Sequence, residues 1–287
     1  MEHESEARSC KAYAKINLTF EVVGKREDGY HEIVSVMQAI NLCDVLTFEP
    51  KESLCLACNI PELVSPNNLV FKAATLMQNL AGSDHGMAIS LDKGIPLASG
   101  LGGGSSDAAA TMQSLNDLWE LNLAPEKLRE AAAILGSDVP FFCCGSMTAL
   151  VHGRGDRIDR LPALSRTWVV LVVPPIHVAN KTQKMYACLD SSRFTDGQYA
   201  RRVAGLIGHG ENIASELCYN VFDDIAFSFF PGLDRYRLRF LNAGASEVHV
   251  AGAGPVLFSL VDSRAEGEEI CENLKRQRVE SYLAETL

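Results

Sequence analysis

Within residues 13–23 the apolar side chains Ile16, Leu18, Phe20 and Val22 fall on every second position, the period of a strand with one face in a core. The run ends in Gly24-Lys-Arg-Glu-Asp-Gly29, a charged turn bounded by glycines, so a hairpin is expected there. Strand patterns recur at 33–40, 44–49, 54–58 and 87–91. Between them Val70, Phe71, Ala74 and Met77 give residues 68–80 the period of a helix. Ala109, Met112, Leu115 and Trp119 mark a second helix, and Pro125 opens a third that Gly136 stops at 135. Strands at 146–151 and 168–173 flank the turn at 153–157, and Pro174-Pro175 then interrupts the chain. The remainder predicts helices at 181–189, 199–208, 210–220, 233–243 and 265–276, with strands at 247–250 and 256–261. No internal repeat is present. Both halves mix helix and strand, and the division falls within 155–165, giving expected domains 1–160 and 161–287.

Composition narrows the class. The 287 residues are 47% hydrophobic, enough for two modest cores, and no apolar run reaches the length of a membrane span. A net charge of −10 argues against the broad basic surface of a nucleic-acid binder, though a local positive pocket is compatible with it. Nine cysteines, an odd number in a chain too large to need disulfides, suggest reduced thiols and a cytoplasmic protein. Residues 1–9 are acidic and polar with no apolar stretch of a signal peptide, and a short frayed tail is expected there. Cys55-x-x-Cys58 has zinc-knuckle spacing without a second pair, and Cys143-Cys144 read as small buried hydrophobes.

The densest chemistry lies in Pro96-Leu-Ala-Ser-Gly-Leu-Gly-Gly-Gly-Ser-Ser-Asp-Ala-Ala-Ala110. Gly100, Gly102, Gly103 and Gly104 permit positive φ and close backbone approach. The alanine block behind Ser105, Ser106 and Asp107 favours a helix whose N-terminus would face an anion. Glycine clusters also make plain turns. A Walker loop is excluded because no lysine follows Gly104, and the dinucleotide fingerprint fails because Ser105 stands where its third glycine belongs. Elsewhere, Lys15 and Asn17 would share one strand face in Ala14-Lys-Ile-Asn-Leu18, a pattern that also describes a solvated face. Asp138, in Gly136-Ser-Asp-Val-Pro140, suits a helix cap or turn as well as a general base.

Pro96, Gly-Leu-Gly-Gly, paired serines and trailing alanines resemble the signature of the GHMP kinase superfamily, and Val250-Ala-Gly-Ala-Gly-Pro-Val-Leu-Phe258 stands where its second glycine segment is expected. The resemblance implies an α+β, two-domain GHMP-kinase fold. An N-terminal α/β nucleotide domain and a C-terminal α/β substrate domain would border an active-site cleft. The block Asp28-Gly-Tyr-His31 narrows the likeness to the branch whose acceptor carries cytidine diphosphate. It implies ATP-dependent phosphorylation of the 2-hydroxyl of a cytidine diphosphate methylerythritol, for non-mevalonate isoprenoid precursors.

Further implications are residue by residue. Lys15 and Asp138 would be catalytic, the lysine keeping the aspartate ionised and steadying the moving phosphoryl group. Asn17, Tyr30, His31, Thr182 and Tyr186 would bind substrate, His31 meeting cytosine and Tyr186 stacking on it from the other domain. Asn68, Lys93, Pro96, Gly100, Leu101, Gly102, Gly103, Gly104, Ser105 and Ser106 would hold ATP. Mg²⁺ would accompany the nucleotide, with its protein ligands unassigned, and the enzyme would be a monomer or homodimer. Two positions depart from the pattern. Ala251 and Ala253 replace hydroxyl residues common in the family, and Asp107 stands where some members have asparagine. A carboxylate near ATP phosphates is unfavourable unless it caps the helix, so a cap is expected of Asp107. Another superfamily kinase, acting on mevalonate, homoserine or a sugar, and a catalytically silent nucleotide-binding module are the competing readings.

Overall fold

A computed structural model describes residues 7–287; the N-terminal tail at 1–6 lies outside the described residues. The described residues form two compact units, the first made of residues 7–14, 42–95 and 102–145, the second of residues 15–41, 96–101 and 146–287.

The long strands β1 (Arg8–Lys25) and β2 (His31–Pro50) each contribute residues to both units. Sequence periodicity split β2 in two, at 33–40 and 44–49. It is one strand that changes partner: its second half pairs antiparallel with β4 (Met87–Asp92), which pairs in parallel with β3 (Leu54–Cys58). In the first unit α1 (Leu69–Ala81) starts at Asn68, whose Oδ1 accepts from the Val70 amide at 2.9 Å. Helix α2 (Gly103–Leu118) buries Ala108, Ala109, Met112 and Leu115, and α3 (Pro125–Leu135) begins at its proline. A single turn, α4 (Val139–Phe142), completes a core that includes Leu46, Phe48, Met77 and Ile89.

In the second unit the first half of β2 pairs with β5 (Thr148–Gly153), itself paired with β6 (Arg157–Arg160). A separate antiparallel sheet has β7 (Trp168–Val172) at its centre. Helices α5 (Lys181–Ala187) and α6 (Gln198–Gly208) follow, then the two-residue strand β8 (Tyr219–Asn220), parallel to β1. After α7 (Asp223–Phe229) and α8 (Leu233–Ala243), β9 (His249–Val250) and β10 (Leu257–Val261) join the β7 sheet. Helix α9 (Arg264–Arg276) covers it and β11 (Ser281–Glu285) forms its other edge.

No helix spans 210–220. The periodic Ile213 and Leu217 misled the expectation, because Gly210 (φ 75°) is the left-handed residue that ends α6: the amides of Gly210 and Glu211 close back on the carbonyls of Ile207 and Leu206 at 2.9 and 3.0 Å. The short elements α4, α7, β6 and β11 carried too little periodicity to be predicted. Gly24 to Gly29 does turn as expected, with the Arg26 amide donating to the Tyr30 carbonyl at 2.8 Å.

Candidate active site

In β1 the apolar positions Ile16, Leu18 and Val22 are buried, but so are the alternating polar positions Lys15, Asn17, Thr19 and Glu21. The polar face is therefore covered, and its groups need partners. Lys15 Nζ donates to Asn17 Oδ1 at 2.7 Å, Asn17 Nδ2 donates to Ser35 Oγ at 2.7 Å, and Ser35 Oγ donates to the Thr19 carbonyl at 2.6 Å. This chain orders the ammonium of a lysine that is only 3% exposed. The Lys15 amide also donates to the Leu101 carbonyl at 2.8 Å, fixing the strand against the first glycine segment.

That segment coils by placing alternate residues, Ala98 (φ 51°), Gly100 (92°) and Gly102 (74°), in the left-handed region. At Gly100 a side chain is impossible without rearrangement, since a Cβ would lie 2.1 Å from the Ala251 carbonyl oxygen. Across from it, a Cβ on Gly252 (φ 57°) would lie 3.4 Å from Lys15 Nζ and 3.2 Å from the Gly100 carbonyl oxygen. The two glycine segments thus lie against each other beside Lys15. The alanines at 251 and 253 leave this backbone role intact.

In the first unit Gly102 is the N-cap of α2 and no side chain caps it; the Ser106 amide is the first to close, on the Gly102 carbonyl at 2.9 Å. The amides of Gly103, Gly104 and Ser105 precede that first intrahelical bond and supply the positive end of a 16-residue helix. A Cβ on Gly104 would meet only Leu69, at 3.6 Å, whereas one on Gly103 would crowd Ile95 and Lys93. Ser105 is half-buried and Ser106 buried.

Asp107 does not cap the helix, contrary to the expectation. It lies one turn in, 2% exposed, with Oδ2 2.7 Å from Lys93 Nζ, and Lys93 also pairs with Asp44. Asp44 in turn accepts from the Gly94 and Ile95 amides, each at 2.7 Å. Two buried carboxylates thus share one ammonium. Burial pushes Asp107 up to about 7; Lys93 pulls the other way and the Asp44 charge adds to the rise. Its Oδ1 is buried with no hydrogen-bond partner, which suits a neutral carboxyl. Lys93 therefore reaches the helix start with its charge engaged by protein. Asn68 likewise uses its side chain at the start of α1, Nδ2 donating to the Leu63 carbonyl at 2.9 Å.

Asp138 also belongs to the first unit, half-buried at the N-cap position of α4, yet its side chain makes no capping hydrogen bond. The capping half of the cap-or-turn reading is thereby removed, while the turn half stands, since Ser137 and Asp138 form the turn ahead of α4. In the second unit the His31 ring stacks on Tyr186 (centroids 4.9 Å, 24°) and meets Phe194 edge-on (6.1 Å, 84°); Tyr186 rests edge-on against Phe222. Burial, with the Lys25 charge nearby, holds His31 below the ordinary histidine range, so the neutral ring offers one donor and one acceptor. Tyr30 is 54% exposed with the Arg154 guanidinium 5.6 Å over its ring, and Thr182 is exposed on the first turn of α5. Pro96 is half-buried at the head of the glycine segment and Leu101 is fully buried.

Sequence reasoning missed Ser35, Asp44, Phe194 and Asn220. Asp44 and Asn220 could have been flagged as single polar residues in apolar surroundings; Ser35 and Phe194 carry no such signal. Among the described residues no three His, Cys, Asp or Glu side chains converge as a metal site, and all nine cysteines are free thiols. No helix among them is long and apolar enough to cross a membrane.

Comparison with known proteins extends this picture. Residues 68–146 match the family model for the GHMP kinases N terminal domain, and 201–280 the model for GHMP kinases C terminal. Over 277 residues the chain is 41% identical to 4-diphosphocytidyl-2-C-methyl-D-erythritol kinase from Dehalococcoides mccartyi, covering 96% of this chain and 97% of that one. The enzyme of the same name from Thermodesulfovibrio yellowstonii is 35% identical over 266 residues, covering 91% and 92%. A crystal structure of 4-(cytidine 5'-diphospho)-2C-methyl-D-erythritol kinase superposes with a TM-score of 0.82 at 32% identity, over 97% of this chain and 99% of that one. Mevalonate kinase from L. major, 16% identical with a TM-score of 0.72 over 99% and 98% of the two chains, shares the fold.

Proposed function

The chain belongs to the 4-diphosphocytidyl-2-C-methyl-D-erythritol kinases, within the GHMP kinases, and on that premise we propose how its residues move the phosphoryl group. The reaction transfers the γ-phosphoryl group of ATP to the 2-hydroxyl of 4-diphosphocytidyl-2-C-methyl-D-erythritol, giving the 2-phosphate and ADP in isoprenoid precursor synthesis. Asp138 accepts the hydroxyl proton. Lys15 steadies the negative charge on the transferring oxygens, and Asn17 orients both the lysine and the substrate. The observation that carries this reading is the Lys15–Asn17–Ser35 hydrogen-bond chain, an ammonium held rigid next to two interlocked glycine segments.

The ATP phosphates would lie on the amides at the start of α2, with Gly100 to Ser106 forming the cradle. Pro96 and Leu101 would shape it, and Asn68 and Lys93 would border the adenosine. Its fit rests on the uncapped N-terminus and on the room at the Gly104 Cα, where an added Cβ would meet only Leu69, in ordinary contact at 3.6 Å. Mg²⁺ would arrive with the nucleotide, held chiefly by phosphate oxygens and water, and would neutralise charge there. At the acceptor end the neutral His31 ring would read cytosine, with Tyr30, Tyr186 and Thr182 contacting the cytidine diphosphate. We propose domains of 1–160 and 161–287, which the separate family matches at 68–146 and 201–280 support. We place the enzyme in the cytoplasm, as a monomer or homodimer.

Replacing Asp138 with asparagine tests the assignment. Turnover should fall by at least about 100-fold, the scale of a lost general base, with ATP-analogue affinity unchanged. Wild-type turnover in that variant removes Asp138 from the base role.

A further inference from the structure

The late glycine segment has no polar side chain of its own with which to fix its depth, because Ala251, Gly252, Ala253 and Gly254 offer only backbone groups for hydrogen bonding. Yet its depth sets the space around Lys15. A Cβ added at Gly252 would lie 3.2 Å from the Gly100 carbonyl oxygen, 3.4 Å from Lys15 Nζ and 3.5 Å from Asn17 Oδ1, so a shift of the segment changes the room beside all three. Something outside the segment must hold it.

The holding group is Asn220, 4% exposed on β8. Its Nδ2 donates to the Val250 carbonyl at 2.7 Å and to the Gly252 carbonyl at 2.8 Å, spanning the turn with both amide protons. Its Oδ1 accepts from the Phe222 amide at 2.9 Å. Both amide protons and the oxygen are thus engaged, so the amide admits one orientation. Its backbone is equally constrained: Asn220 is in register with Phe20 of β1, three residues beyond Asn17 on the strand that carries Lys15. A second anchor comes from α7, where Asp223 Oδ1 accepts from the Val250 amide at 2.8 Å and Asp223 Oδ2 accepts from His249 Nδ1 at 2.9 Å. Of these two side chains, Asn220 is the one that reaches past Val250 to Gly252, the residue beside Lys15.

We infer that Asn220 is a positioning residue for phosphoryl transfer, setting the late glycine segment at the depth that keeps Lys15 Nζ and the Gly100 backbone in register for the nucleotide. The inference rests on the kinase reading above and adds a residue to it. Asn220 touches neither substrate; it acts through Gly252.

Asn220→Asp isolates the two donated bonds, since it keeps an oxygen for the Phe222 amide and turns a second oxygen toward two carbonyls. Its kcat/KM for ATP should fall at least 20-fold. The melting curve should stay cooperative, and KM for the cytidyl substrate and affinity for CMP should remain within threefold of wild type. A folded variant with kcat/KM for ATP within threefold of wild type overturns the inference, as does an equal loss in CMP affinity. Asn220→Ala, which removes both donors without adding charge, is read the same way if the aspartate variant does not fold. Failure of both to fold assigns Asn220 to folding alone and overturns its positioning role. Affinity for a non-hydrolysable ATP analogue is measured alongside. Should the wild-type protein show no turnover, that failure falls on the kinase reading, and a variant affinity within threefold of wild type still overturns the role of Asn220.

Discussion

Replacing Asp107 with asparagine should stabilise the protein above neutral pH and have little effect near pH 4. In the native protein Asp44, Lys93 and Asp107 are buried together, so ionising both carboxylates leaves one uncompensated negative charge beside the start of α2. Burial raises the Asp107 pKa from 3.8 to about 7. A folded value above the unfolded one means the native state holds a proton that the unfolded chain gives up. The associated stability is complete below the unfolded pKa and is lost as pH rises through the folded one. Each unit in that window is worth about 1.4 kcal/mol, which puts the ceiling at about 4 kcal/mol between pH 4 and pH 7. In the asparagine variant Lys93 faces one buried carboxylate, that of Asp44, instead of two. The assay is the urea midpoint of wild type and variant at half-unit steps from pH 4 to 8.5, read as their difference so that other titrating groups cancel. The variant's advantage should grow steadily to pH 7 and then level off. A flat difference, or a wild type that gains on the variant as pH rises, would show Asp107 ionised in the folded protein and refute the reasoning.

Gly100→Ala forces a Cβ toward the Ala251 carbonyl in a left-handed backbone, so the loop must shift by about an ångström; kcat/KM for ATP should drop about 100-fold while calorimetry finds CMP affinity unchanged. A rate within threefold of wild type would mean the two glycine segments are not locked together. Tyr186→Ala removes the ring stacked on His31 and should weaken CMP binding about tenfold with no change in KM for ATP, on the scale of one lost base–aromatic contact. Equal effects on both ligands would take Tyr186 out of the cytidine site.

The helices at 69–81, 125–135, 233–243 and 264–276 were legible because each buries one stripe and has a proline, glycine or polar residue at an end. What periodicity could not reveal was the second covering of β1. Lys15 and Asn17 suited a solvated face as well as a site, yet both are buried, with Thr19 and Glu21 beside them. A polar face under a second layer is the mark of a site, and only packing exposes it. Asp107 failed for a related reason. Its place after two serines is that of a capping residue, but its partner Lys93 lies 14 positions back and Asp44 another 49 beyond Lys93. The glycine segments carried the most information, since an interlocked turn with φ near 90° leaves glycine as the residue that fits.

Phosphorus NMR of the purified protein with ATP, Mg²⁺ and 4-diphosphocytidyl-2-C-methyl-D-erythritol tests the central claim most directly. One new phosphomonoester resonance should rise in step with ADP, and mevalonate, homoserine and simple sugars should give none. ADP formation without that resonance, or faster phosphorylation of any of the alternative acceptors, would contradict the account.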